Sequence, residues 1–204
     1  MKKLLLTALL AAGAFTASAE FRWGPSASVY FGDYHWRQDI IKTKDQVSFQ
    51  AGVLGELMIP GIGFGIDMGL NYAMHSAKFD LGAHRIWAAD GYGDESFKLH
   101  SLELPVHLRF KWTRMEGVEQ YVAPFAYVGP VFQFHLAQSK CDAIEHPFGS
   151  VAVQFGLGAE FLRCIQLSAS YMWNPTYEIR TVKLDNYSAR NSGFTINLTY
   201  LFNK

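Results

Sequence analysis

Apolar and polar residues alternate with a period of two along most of this chain. In the closing segment Phe194, Ile196, Leu198, Tyr200 and Phe202 share one face, while Thr195, Asn197, Thr199 and Leu201 share the other. Seven earlier segments repeat the pattern. The first sets Phe21, Trp23, Ala27, Val29 and Phe31 against Arg22, Gly24, Ser26, Ser28 and Tyr30; the second sets Phe49, Ala51, Val53 and Leu57 against Ser48, Gln50, Gly52 and Glu56. The third opposes Phe64, Ile66, Met68, Leu70, Tyr72 and Met74 to Asp67, Asn71 and His75. In the fourth, Leu102, Leu104, Val106, Leu108, Phe110 and Trp112 oppose Glu103, His107, Arg109 and Lys111. The fifth, Tyr121 to Leu136, is apolar on both faces. Because Pro cannot donate to a strand ladder, Gly129-Pro130 predicts a bulge or break there. The sixth sets Val151, Val153, Phe155 and Leu157 against Gln154 and Glu160, and the seventh sets Ile165, Leu167, Tyr171 and Trp173 against Gln166, Ser168 and Ser170.

The connections alternate in length. Short or moderate links (Pro60 to Gly63, Thr113 to Gln120, Leu162 to Cys164) take turns with long ones (Asp33 to Gln46, Asp80 to Ser96, Ala137 to Pro147, Glu178 to Ser192). Turns short on one side and loops long on the other are the asymmetry of outer-membrane barrels, whose short turns lie in the periplasm. An even strand number returns both termini to that side. Aromatic residues gather near both ends of the segments, as expected of belts at two membrane interfaces. A soluble barrel or sandwich would bury the same apolar faces in a core.

The N-terminus separates the two cases. Lys2 and Lys3, the apolar run Leu4 to Phe15, and Ala17-Ser18-Ala19 read as a secretory signal peptide over residues 1–19, the run being too short to span a bilayer as a helix. The remaining residues 20–204 make one domain, and no later apolar run approaches the length of a membrane helix. We therefore expect an all-β protein, an eight-stranded antiparallel up-and-down transmembrane β-barrel of the cell outer membrane, termini periplasmic and long loops extracellular. Lys plus Arg and Asp plus Glu number 18 each in the full chain, a balance that offers no nucleic-acid surface. Cys141 and Cys164 fall at opposite ends of the sixth segment, too far apart for a disulfide, so two free thiols are expected.

Two segments carry a family resemblance. Gln50-Ala51-Gly52-Val53-Leu54-Gly55-Glu56-Leu57 with Phe64 to Tyr72, and Leu102-Glu103-Leu104-Pro105-Val106 with Arg109-Phe110-Lys111, are similar to motifs of the PorT-like outer-membrane β-barrel family of Bacteroidetes. Pro124-Phe125, Gly129-Pro130 and the closing Tyr200-Leu201-Phe202 are similar too. The resemblance implies an eight-stranded barrel in the outer membrane; the family's link to secretion does not pass over with the shared domain. Asn203-Lys204 follow the terminal aromatic that the assembly machinery normally reads.

Projected inward, the polar faces place Arg22, Glu56, Asp67, His75, Glu103, His107, Arg109, Lys111 and Glu160 in the lumen. A barrel of this size is just filled by side chains, so these charges are expected to pair with one another and with Gln50, Asn71, Gln154 and Asn197. A proton path or narrow channel is the functional alternative. A second is a lipid deacylase or acyltransferase at the rim, built from His75, His100, Ser101, His84, Asp90 and Asp94, whose spacing shows no Ser-His-Asp unit. His35, His84, Asp80, Asp90, Asp94, Glu95 and His146 are scattered through loops without metal-ligand spacing, and no cofactor is implied. Trp36, Trp87, Tyr92 and Tyr187 are large aromatics in segments expected to face water, where they can pack over the barrel mouth or anchor a protein partner. Expected partners are outer-membrane lipid and lipopolysaccharide, the barrel assembly machinery and an unidentified protein. The leading expectation is a structural, adhesive or assembly-partner role through the outer loops.

Overall fold

The computed structural model describes residues 20–37, 41–59, 61–81, 88, 91, 93–113, 117–139, 141, 143–182 and 187–202. The expected signal peptide, Trp87 and Tyr92 lie outside the described residues. Eight long strands carry the fold: β1 (Glu20–Trp36), β2 (Lys42–Met58), β3 (Phe64–Asp80), β4 (Asp94–Lys111), β5 (Val122–Gln138), β7 (Gly149–Phe161), β8 (Ile165–Trp173) and β10 (Ser188–Tyr200). Each is antiparallel to its neighbours, and β1 pairs with β10 to close the barrel. Two short strands, β6 (Ile144–Glu145) and β9 (Ile179–Thr181), extend β10 at the end where the long connections lie. We call that end the loop end, and the other the turn end.

The outward rows match the alternation. Phe64, Ile66, Met68, Leu70 and Tyr72 on β3 are exposed, as are Ile196, Leu198 and Tyr200 on β10. An apolar outer face continuous over all eight strands is what lipid requires and water penalises. Aromatic pairs mark its turn-end margin, including Trp23–Phe202 at 5.0 Å and Phe110–Trp112 at 4.7 Å between ring centroids.

Two features differ from expectation. β5 runs unbroken, and Gly129 and Pro130 pair in register with Gln154 and Val153 of β7. On the β4 side, rung pairings are missing between Pro105↔Val131 and Leu108↔Val128 without a change of register, where Pro130 has no N–H to donate. The register shifts elsewhere, between Asp45 and Phe49 on β2 and beside His100 and Ser101 on β4.

The second difference is length. Much of what was expected as loop is strand: β1 reaches Trp36, β3 reaches Asp80, and β4 begins at Asp94. These extensions keep the strand period but invert its phase. Outward positions become Asp33, Lys78 and Lys98, while the inward row becomes apolar, with Tyr34, Trp36, Phe79, Leu81, Phe97 and Leu99 buried. Beyond the lipid the outer face meets water, so the hydrophobic effect selects the opposite face as core.

At the turn end, Leu162 and Arg163 are the central residues of the β-turn in the three-residue link between β7 and β8, with φ of 51° and 61°. Both central residues are left-handed, a conformation that favours Asn-Gly and costs other residues about 1–2 kcal/mol each. Arg22 Nη1 donates to the Arg163 carbonyl at 2.7 Å, so the strained turn is tied to the lumen. Arg163→Gly should therefore raise stability by about 1 kcal/mol, read as a higher urea midpoint for unfolding from micelles. Cys164 closes this turn and Cys141 is buried at the loop end, and the two are not joined to each other.

Candidate functional site

The lumen is filled in layers. Nearest the turn end, three cations meet three carboxylates. Glu56 lies at their centre: Arg22 Nη2 donates to its Oε1, Lys111 Nζ donates to the same oxygen at 2.8 Å, and Arg109 Nη1 donates to Oε2 at 2.7 Å. Gln166 Nε2 adds a fourth donor at 2.7 Å. Glu160 Oε2 accepts from Arg22 and Lys111, each at 2.8 Å, and from Gln166 at 2.7 Å, while Asp67 Oδ2 accepts from Arg109 Nε at 2.6 Å. The Arg109 guanidinium also lies over the Phe125 ring, 4.1 Å from its centroid. All of these charged groups are buried, and the formal charge of the network is zero.

Above this layer, serine, asparagine and glutamine side chains, with His107, surround a cavity of about 30 Å³, room for about one water molecule. Ser28 donates to Gln50, Gln154 to Ser170, and Ser26 to Asn71. A second polar layer follows, centred on Glu103, which accepts from Gln50 and Gln133 and lies 3.0 Å from His75 Nε2. Asn174 donates to Gln133, and the Tyr30 hydroxyl donates to Asn191. Glu178, fully buried beyond β8, lies under the loop-end cap, where burial pushes its carboxyl above the ordinary range despite the opposing pull of His75.

The cap itself is apolar. Tyr34, Trp36, Ile41, Phe79, Leu81, Phe97, Leu99, Ile144, Ile179 and Tyr187 form one buried cluster inside the strand extensions. Trp36 and Tyr187 stack with centroids 5.0 Å apart, and the Tyr187 hydroxyl accepts the Ile41 N–H at 3.1 Å. These two aromatics pack over the barrel mouth and do not present their rings to a partner.

All nine polar residues projected into the lumen are found buried there, in two groups. Arg22, Glu56, Asp67, Arg109, Lys111 and Glu160 form the turn-end network; His75 and Glu103 belong to the upper layer, and His107 lies between. Gln166, Gln133, Asn174 and Glu178 are not among the expected lumen partners. Gln166 and Asn174 carry a usable signal, both being on the polar face of the seventh segment; Glu178 lies beyond the end of β8, where period two says nothing.

Among the described residues, those considered for a rim hydrolase do not converge. His75 and Ser101 point inward and are buried, whereas His100 points outward and pairs with Tyr72, Nδ1 to hydroxyl 2.6 Å. Ser101 does meet a histidine, His135, at 2.9 Å, and His135 Nε2 lies 3.2 Å from Ser150, but all three are sealed in the lumen. Among the described residues no three His, Cys, Asp or Glu side chains gather as a metal-binding group; His84 and Asp90 lie outside them.

No family model matches the chain, and no curated protein matches it. Solved structures do. The outer membrane protein OprG from Pseudomonas aeruginosa aligns at 12% identity over 91% of this chain and 96% of its own, with a TM-score of 0.55. Neisserial surface protein A aligns at 12% identity over 90% of this chain and 99% of its own, with a TM-score of 0.49. At such identity the likeness is one of fold: the chain is a closed eight-stranded antiparallel barrel of the kind found in outer membranes.

Proposed function

We propose that this protein is a non-conducting, non-catalytic barrel of the PorT-like kind. It anchors in the outer membrane a rigid, apolar-cored extension that serves an adhesive, structural or assembly role on the cell surface. The observation that carries this reading is the double closure of the lumen. A neutral ion-pair network blocks the turn end, an apolar cap blocks the loop end, and the described residues between them enclose a cavity of about 30 Å³. A channel needs a continuous wet path, and a hydrolase needs its nucleophile and base at a surface that substrate can reach.

The orientation is part of the same proposal: termini and short turns periplasmic, strand extensions and cap outside. It is supported by the clustering of the short connections and both chain ends of the barrel at one end. The test is conductance. Purified protein in planar bilayers should give no reproducible unit conductance, and labelled phospholipid or lipid A should not turn over. Discrete conductance steps, or turnover abolished by His100→Ala, would replace this reading with a channel or an enzyme.

A further inference from the structure

The outward surface just beyond the lipid band is not uniform. On β4 the apolar row from Trp112 to Leu102 rises about 25 Å, at roughly 3.3 Å per residue and a tilt of about 40°, which fills the hydrocarbon layer. The next outward positions on β4 are His100, Lys98 and Ser96. Register fixes their neighbours: Met74 faces His100, Ser76 faces Lys98, and Lys78 faces Ser96 on one side and Lys44 on the other. Three exposed lysines from three adjacent strands thus occupy two successive rungs, with the exposed Ser96 beside Lys78 and the buried Ser76 beside Lys98.

Lys44 and Lys78 stand directly opposite each other, an arrangement that destabilises a sheet when nothing neutralises it. Lys78 and Lys98 lie on a diagonal, with Cβ atoms about 7–8 Å apart, so long side chains from all three strands can converge on one anion. The acids are placed elsewhere. Asp80 and Asp94 form the next rung away from the membrane, where Asp94 approaches Lys44 at 3.9 Å. The two membrane-proximal rungs therefore carry lysines and no acid, whereas the distal rung carries both acids together with Lys42. Beneath the lysines, the hydrogen-bonded and stacked Tyr72–His100 pair caps the lipid band with polar atoms at its margin.

On the orientation proposed above, this height is that of the outer-leaflet headgroups. We propose that Lys44, Lys78 and Lys98, with Ser96, form a docking surface for the phosphorylated headgroup of lipid A, its acyl chains lying along the apolar face of β3 and β4 below. Phosphate supplies the multiple acceptor oxygens and charge that three lysines and the Ser96 hydroxyl can share. Acyl chains continuous with the headgroup explain why the patch adjoins Tyr72 and Met74 and is not placed farther out.

The full chain in detergent micelles, titrated with bis-phosphorylated lipid A and followed by native mass spectrometry, tests the proposal. Lys78→Gln with Lys98→Gln should weaken lipid A retention by tenfold or more, at about fivefold per lysine near a charged headgroup. Arg180→Gln with Arg190→Gln, also exposed at the loop end, should leave retention unchanged. Dephosphorylated lipid A should bind the wild type no better than it binds the lysine variant. Both double variants alter exposed side chains, and the heat-dependent gel shift reports that they fold. Equal retention by wild type and lysine variant, equal loss in the arginine control, or phosphatidylglycerol binding as tightly as lipid A would each overturn the proposal. Labelling of Lys98→Cys by a membrane-impermeant maleimide on intact cells, in a Cys164→Ser background, separates the two readings. Absent labelling overturns the orientation and this surface together; labelling without lipid A retention overturns the surface alone.

Discussion

Glu56→Gln should destabilise the folded barrel by about 3–5 kcal/mol, the cost of leaving buried cations without their counter-charge. Glu56 accepts from Arg22, Arg109, Lys111 and Gln166, and none of its own surface is exposed. Neutralising it leaves three buried cations with two carboxylates, Glu160 and Asp67. It also replaces an acceptor oxygen with an amide donor among four donors. Urea-dependent unfolding, read from the mobility difference between folded and unfolded barrel on a gel, measures the loss. Lys111→Met in the Glu56→Gln background restores charge equality and should recover at least half of it, whereas Lys111→Met alone should be destabilising. If Glu56→Gln were neutral, the turn-end layer would be wet and the double closure of the lumen would fail with it.

Leu198→Arg should cost about 2–4 kcal/mol and impair assembly, because a charge at the bilayer midplane has no polar partner on the lipid face. Leu198 is exposed, lies between Ala27 of β1 and Leu167 of β8, and stands midway between the Phe202 and Phe194 margins. The contrast that makes this diagnostic is depth. Ser96→Arg also points outward, but on the strand extension, and should cost no more than about 1 kcal/mol. Equal costs at the two positions, measured by the same unfolding assay, would contradict the lipid band.

Period-two alternation is a local property, and it marks the residues of each strand that share a face. That is why Arg22, Glu56, Arg109, Lys111 and Glu160 could be assigned to the lumen together. Alternation does not say which rung faces which, since sliding a strand by two residues preserves every face. The contacts of Glu56 with residues 53 and 55 positions away arise from rung positions that only the closed barrel sets. The loop-end extensions were obscured for a related reason. Phe79 and Leu81, or Phe97 and Leu99, alternate as cleanly as the membrane rows, but on the face occupied elsewhere by polar lumen residues. Read as one continuous phase they look like loop; read as an inversion they mark where lipid gives way to water.

The sequence by itself determined the number of long strands, the outward face of all of them but β5, and the two-sided contrast in connection length, because each of these follows from nearest-neighbour chemistry along the chain. The tertiary structure decided that the lumen charges cancel around Glu56, that Trp36 and Tyr187 stack inside a cap, and that three lysines share one rim. Those outcomes depend on barrel closure and strand stagger, which bring distant residues to the same height and leave no trace in the local pattern.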